Sequence, residues 1–148
     1  MPWLSNVPAV FQSWYPGQEA GNAIADVLFG DAEPGGRLPQ SFPVRFADHP
    51  VYSQDPEIYP GLNGKVRYEE GLFIGHKHYD KTGIQPLFPF GYGLSYTSFE
   101  WTNLRITQQG DDFIVEVDVT NTGARAGSDV VQIYVEDKSP ILPRPIRE

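Results

Sequence analysis

Apolar residues recur with a helical period directly after a proline-glycine pair near the start of the chain. The apolar residues of this face stand at positions i, i+4, i+7 and i+8: Ala20, Ile24, Val27 and Leu28. Pro16-Gly17 interrupts the preceding run, and a proline just ahead of a helix already has the φ angle that the first turn needs. Gly30 stands where a left-handed C-terminal cap is expected. The pattern predicts a short amphipathic helix that ends near Gly30.

Extended segments are predicted on either side of this helix. Residues 4–14 contain a short apolar run that is typical of a buried strand. Residues 37–43 are predicted to form a short edge strand, because Pro39 and Pro43 cannot donate to a central ladder. Glu19 is placed in the first turn of the helix, where a negative charge compensates the helix dipole. Together these segments predict a β-α-β piece of an α/β layer.

The middle of the chain has a weaker period. Residues 44–67 are predicted to form a loop, with a hairpin turn at Asn63-Gly64, and a loop of this length is often functional. Residues 68–80 fit both a helical face and an alternating strand, and we favour a short helix that ends near Gly83. Residues 86–96, rich in glycine and aromatic residues, are predicted to form an extended linker held down by its rings.

From residue 99 onward, apolar and polar residues alternate with a period of two. This pattern predicts strands at residues 99–106, 113–120 and 131–136, separated by turns at residues 110–112 and 121–123. Three strands with one apolar face need a second sheet or a partner to cover that face. We therefore expect the exposed sheet to favour self-association.

Composition limits the classes of partner. The net charge of -8 argues against binding to nucleic acid or to an anionic membrane surface. The absence of cysteine excludes disulfides and thiolate chemistry. No apolar run approaches the ~20 residues that span a bilayer. The first residues lack the basic start and long apolar core of a signal peptide, which leaves localisation open between secreted, periplasmic and cytoplasmic.

Three ordered motifs resemble the late part of the family 3 glycoside hydrolases, which are the β-glucosidases and their β-xylosidase relatives. The first motif runs from Gln12 to Pro43 and contains Trp-Tyr-Pro-Gly-Gln-Glu. The second is residues 68–80, where the family usually has Tyr-Arg in place of His76-Lys77, and the third is residues 86–99. The resemblance covers essentially the whole chain, so three motifs in the same order make it highly specific.

The resemblance implies an α+β fold in two parts. Residues 1–97 are expected to be the end of an α/β sandwich domain with its linker. Residues 98–148 are expected to begin a fibronectin type III-like (Ig-like) β-sandwich, which is incomplete because such a sandwich has about seven strands. Family members are several times longer and start with a (β/α)8-type barrel. We therefore expect this chain to be the tail of a larger enzyme, with the missing N-terminal barrel domain as its partner.

The resemblance also implies retaining hydrolysis of terminal β-linked sugars, with β-linked glucosides or short oligosaccharides as substrates. Retention uses two carboxyl groups about 5–5.5 Å apart. The family's nucleophile is an Asp in a Ser-Asp-Trp-like motif of the barrel, and the sole Ser-Asp here, Ser128-Asp129, is followed by Val130. The family's acid/base Glu lies upstream of Trp14. No catalytic residue is carried over, no metal or organic cofactor is implied, and the isolated chain is expected to be inactive.

Several side chains are nevertheless candidates for chemistry. Glu69-Glu70 does not suit an acid/base pair, since adjacent residues do not face each other on a helix or a strand, and a structural or solvated role is favoured. His76, His78 and Asp80 have a spacing that suits metal ligands only on a strand, and His49 is distant in sequence, so packed or surface roles are predicted. Glu19 is predicted to act as a helix cap.

Aromatic residues offer two candidate sugar-stacking sites. Trp14 and Tyr15 can form a platform, although core packing at a strand end is the favoured interpretation. Tyr52 and Tyr59 place rings in the long loop, which is a candidate rim of the parent enzyme's active site. No substrate-binding residue is assigned. Two hypotheses remain: the C-terminal part of a family 3 β-glucosidase, and a stand-alone, non-catalytic carbohydrate- or protein-binding module.

Overall fold

The computed structural model describes residues 1–146 and has mixed helical and strand content, which confirms the predicted α+β class. The main elements are α1 (Ala20–Phe29), α2 (His76–Thr82), β1 (Phe99–Gln109) and β2 (Asp112–Asn121). Short 3-10 turns occur at Leu4–Asn6 and Phe46–Asp48. Residues 147 and 148, the end of the predicted β-sandwich region, lie outside the described residues.

The chain forms two compact units. Unit 1 contains Met1–Leu4, Arg37–Gly93 and Val131–Glu148, and unit 2 contains Ser5–Gly36 and Leu94–Val130. Helix α2 belongs to unit 1, whereas α1 and both strands belong to unit 2. The domain boundary at residue 97 stays a prediction.

Helix α1 confirms the prediction made from its apolar stripe. Gly30 ends it in the left-handed conformation with φ 83°, and its N–H donates to the Val27 carbonyl at 3.1 Å. Glu19 is the N-cap and not a residue of the first turn. Its carboxylate accepts a hydrogen bond from Asn22 Nδ2 at 2.7 Å and binds no backbone amide of the helix end. None of the residues of α1 is buried, and Leu28 is 62% exposed.

Helix α2 confirms the predicted helix type and its end at Gly83. Gly83 has φ 69° and donates its N–H to the Tyr79 carbonyl at 2.9 Å. The helix begins later than the sequence pattern suggests, because Gly71 and Gly75 both adopt φ 55° and interrupt helical geometry. Tyr79 is the one residue of α2 that is buried.

Strands β1 and β2 form an antiparallel hairpin, as predicted, with Gly110 at φ 66° in the turn. The register places Trp101 opposite Val119 and Ile106 opposite Val115, so one face is apolar. The register shifts between Thr102 and Arg105, at a bulge. The apolar face is more exposed than the half-buried pattern predicted, with Ile106 at 63% and Phe113 at 65% exposure.

Two predicted strands are wrong. Residues 131–136 form no strand, and their apolar members Val131, Ile133 and Val135 are exposed. Residues 7–14 are irregular as well, with side chains such as Val10 and Phe11 more than 40% exposed. An alternating or apolar run becomes a strand only when a neighbouring strand accepts and donates its backbone hydrogen bonds, and no described strand pairs with either segment.

The predicted edge strand at residues 37–43 is reduced to a single bridge between Phe42 and Phe88. Phe42 N–H donates to the Phe88 carbonyl at 2.8 Å, and Leu38 N–H donates to the Tyr92 carbonyl at 2.8 Å. Pro39 and Pro89 lie between these two bonds and have no N–H, which prevents a continuous ladder. The ring of Phe88 packs edge-on against Phe42 with a centroid distance of 6.4 Å, so the aromatic linker is held by its rings as predicted.

The side chains of this chain remain largely exposed. The accessible surface is 11198 Å², compared with about 7,600 Å² expected for a compact monomer of this mass. Among residues 1–146, Asp48, Tyr79 and Pro145 are buried. Much apolar surface is therefore available for packing against further protein. No helix in the described part of the chain is long and apolar enough to cross a bilayer.

Candidate functional site

The segment of residues 14–17 combines backbone strain with exposed rings. Trp14 has φ 51°, in the left-handed region, where a bulky side chain is an outlier. Trp14 is 41% exposed and Tyr15 is 98% exposed. Tyr15 is therefore not packed within this chain, and its packing in a longer polypeptide stays a prediction. We call residues 14–17 the Trp-Tyr segment; two turn residues separate it from α1.

A second set of exposed rings lies in the long loop of unit 1. Phe46 contacts Tyr52 and Tyr59 edge-on, with ring centroids 5.6 and 5.7 Å apart. The three rings are 40–58% exposed. Tyr52 and Tyr59 are the two residues that the sequence analysis names in this loop, and both contact the same ring, Phe46. Sequence reasoning missed Phe46.

Arg67 holds the base of this loop through three carboxylates. Its guanidinium contacts Asp55 at 2.7 Å, Glu57 at 2.5 Å and Glu69 at 2.8 Å. The Glu57 backbone N–H and the Arg67 guanidinium lower the pKa of Asp55. The predicted turn at Asn63-Gly64 is confirmed, since both residues have positive φ. Glu69 is therefore an ion-pair partner, which is the structural role favoured for it.

Asp48 is a buried carboxylate that sequence reasoning missed. Arg45 binds it with its backbone N–H at 3.0 Å and with its guanidinium at 2.7 Å. The hydrogen bond from the Arg45 side chain lowers the pKa of Asp48, although burial opposes this shift. The Arg-x-x-Asp spacing at the start of the 3-10 turn was the signal that could have identified this capping interaction.

The histidines of α2 occupy different surroundings. His78 is partly buried, which lowers its pKa, and nearby Lys81 acts in the same direction. The His76 ring lies 4.9 Å from Phe90 and 6.0 Å from Tyr134, measured between centroids. His49 is exposed in the loop. Within residues 1–146 no three His, Asp or Glu side chains are grouped to hold a metal ion.

A cleft of about 510 Å³ opens beside α2 in unit 1. Its lining includes His76, Asp80, Phe90, Gln132 and Tyr134. This volume lies within the range of small-molecule sites, and its lining mixes rings with polar groups. The structure thus brings His76 and Asp80 to one cleft, where they line its wall, while His78 and His49 are absent from that lining.

Comparison with known proteins gives a consistent result. Residues 1–96 match the model of the glycosyl hydrolase family 3 C-terminal domain. The chain is 58% identical to a β-glucosidase from Rhizobium radiobacter, covering all of this chain and 18% of that protein. It is 43% identical to thermostable β-glucosidase B from Acetivibrio thermocellus, covering all of this chain and 20% of that protein.

Solved structures agree with this relationship. A β-glucosidase from Streptomyces venezuelae, in complex with D-glucose, superposes with a TM-score of 0.92 at 42% identity, over all of this chain and 19% of that one. β-Glucosidase 3B from Thermotoga neapolitana, in complex with glycerol, gives 0.90 at 37% identity over 99% of this chain and 20% of that one. The chain thus spans about a fifth of the length of the relatives that it matches.

Proposed function

The chain belongs to the glycosyl hydrolase family 3 C-terminal domain family, and from this premise we propose that it is the C-terminal part of a retaining β-glucosidase. One observation carries the proposal. The full length of this chain matches β-glucosidases, and the match covers about a fifth of each of those proteins. The substrates are terminal β-linked glucosides or short oligosaccharides. This choice of substrate is supported by the relatives, which are β-glucosidases, one of them solved in complex with D-glucose.

In this function the chain supplies scaffold and no chemistry of its own. Retaining hydrolysis needs two carboxyl groups about 5–5.5 Å apart with room for the sugar between them. Glu69, the first member of the adjacent pair, is engaged by Arg67 at 2.8 Å. In this proposal the catalytic carboxylates come from the rest of the longer polypeptide, and the isolated chain is inactive.

We propose the same two-part organisation that the motifs suggest, with a sandwich-domain end at residues 1–97 and the start of a fibronectin type III-like domain at residues 98–148. Two observations support it: the family match ends at residue 96, and the β1–β2 hairpin that follows has one apolar face. The missing N-terminal barrel domain is the proposed partner. The large accessible surface supports a chain that packs against further protein.

A chimera tests this function. This chain replaces the matching C-terminal segment of the Rhizobium radiobacter β-glucosidase, and the control is that relative truncated before the segment. Hydrolysis of a chromogenic aryl β-glucoside is measured for the chimera, the truncated control and the isolated chain. We expect activity in the chimera alone, and self-association of the isolated chain by size-exclusion chromatography.

Two results would contradict the proposal. Turnover by the isolated chain, eluting with its protein peak, would place a catalytic carboxylate pair within these 148 residues. A chimera that folds and remains inactive would favour the alternative, a stand-alone carbohydrate- or protein-binding module, whose binding does not require the rest of the enzyme.

A further inference from the structure

We propose that the Trp-Tyr segment is a sugar-recognition element in which the Tyr15 ring stacks on the apolar face of a β-linked glucose unit. The identity of the sugar rests on the proposed function. The site itself rests on the geometry of residues 14–17, which lie ahead of α1 in unit 2.

Backbone strain at Trp14 is the first reason. A non-glycine residue with a large side chain at φ 51° is held in a strained backbone conformation. Glycine or asparagine would adopt this conformation at lower cost. Strained residues of this kind concentrate at ligand clamps and active sites, where the surrounding structure keeps them in place.

Rigidity of the next residues is the second reason. Tyr15 precedes a proline, which restricts its backbone to extended conformations, and the Pro16 ring fixes its own φ angle. Tyr15 therefore stands between a left-handed residue and a proline, and its backbone loses little freedom when a ligand binds. A pre-organised ring of this kind binds with a smaller entropic cost than a ring on a flexible loop.

Exposure of the rings is the third reason. Tyr15 is 98% exposed, so its ring gains no packing in this chain, although the sequence places a large aromatic residue there. The space beside Gly17 is open: a Cβ atom added there would meet no heavy atom within 4 Å. A ligand can approach Gly17 without displacing a described side chain from that side.

The chemistry of the Trp-Tyr segment fits a neutral pyranose. Its side chains are an indole, a phenol and a proline ring, with no charged group among them. A phenol ring offers a flat apolar face together with a hydroxyl that donates and accepts hydrogen bonds. A β-linked glucose unit has axial C–H groups on its ring faces and hydroxyls at its rim. The ring of Tyr15 can therefore pack on the C–H groups, and its hydroxyl can hydrogen-bond to the sugar hydroxyls.

The test measures binding of methyl β-D-glucoside to the 148-residue chain by saturation-transfer NMR. Three variants are compared with the native chain. Tyr15→Ala removes the ring, and Tyr15→Phe keeps the ring without its hydroxyl. Tyr68→Ala is the matched control, because Tyr68 is 79% exposed in another part of the chain, in unit 1.

We expect Tyr15→Ala to weaken binding about threefold to tenfold, the range expected for one aromatic stacking contact. Tyr15→Phe should retain most of the affinity, and Tyr68→Ala should leave it unchanged. Absence of saturable binding by the native chain would overturn the proposal. Equal affinities of Tyr15→Ala and the native chain would overturn it too, as would an equal loss in Tyr68→Ala.

The chimera separates this inference from the proposed function. In an active chimera, Tyr15→Ala should raise KM with kcat largely retained, which a purely structural residue would not do selectively. An unchanged KM together with a lowered melting temperature would contradict the inference and indicate packing against the rest of the enzyme. An inactive chimera would count against the proposed function, while the binding comparison on the isolated chain would still decide the role of Tyr15.

Discussion

Arg125 donates a hydrogen bond from Nη2 to the backbone carbonyl oxygen of Gly30, the residue that ends α1, across 95 positions of sequence. The same guanidinium lies 5.3 Å from the ring centroid of Tyr96. Tyr96 in turn donates from Oη to the Val27 carbonyl at 2.7 Å. Residues on either side of the β1–β2 hairpin therefore donate to carbonyl groups at the C-terminal end of α1, and the Val27 carbonyl also accepts the Gly30 N–H.

We expect Arg125→Gln to destabilise unit 2 by about 1 kcal/mol, because it removes a charged donor at the negative end of the helix dipole. Urea denaturation followed by far-UV circular dichroism measures this change. Arg105→Gln is the matched control, since Arg105 contacts Glu116 and Asp118 within the hairpin and not α1. Equal losses of stability in the two variants would contradict a stabilising role for the contact between Arg125 and Gly30.

Tyr79→Phe should stabilise the chain by about 1 kcal/mol. Tyr79 is 6% exposed, and its hydroxyl has no hydrogen-bond partner among the described residues. Burial raises the pKa of this hydroxyl, as expected for a group whose charged form is poorly solvated. Removing a buried, unpaired hydroxyl while keeping the ring avoids its desolvation cost. Denaturant titration measures the change, and a loss of stability would reveal a partner for the hydroxyl, such as a bound water.

Arg67→Gln should loosen the base of the long loop. Asp55 has a lowered pKa, so its contribution to stability is present above its unfolded pKa of about 3.9 and is lost as the pH falls further. The variant should show faster amide hydrogen exchange at residues 55–69 and a weaker acid dependence of unfolding between pH 5 and 3. Identical exchange in the variant and the native chain would contradict a role for Arg67 in holding the loop.

His78→Gln should reduce the pH dependence of stability near neutrality. Burial lowers the pKa of His78, so the folded chain binds fewer protons than the unfolded one. The contribution of His78 to the free energy of unfolding is present above the unfolded pKa of about 6.5. It is lost as the pH falls through and below that value. Urea denaturation at pH 7.5 and pH 5.5 measures it. The native chain should lose more stability between these two conditions than the variant.

Local sequence signals determined the elements whose hydrogen bonds close within a short segment. Helix α1 and its end at Gly30 follow from one apolar stripe and one glycine, because a helix satisfies its own backbone groups. The β1–β2 hairpin follows from alternation around a short turn at Gly110, since each strand finds its partner next to it in sequence. The end of α2 at Gly83 has the same local origin.

Only the tertiary structure decided the features that depend on distant partners. The apolar runs at residues 7–14 and 131–136 carry strand-like patterns, yet neither is a strand, because no described strand supplies the second half of their hydrogen bonds. The full exposure of Tyr15 and the left-handed backbone of Trp14 were equally invisible in the residue order. The contact of Arg125 with Gly30 joins segments that only folding brings together. Residue order fixes short-range geometry, whereas burial and long-range pairing depend on which surfaces meet.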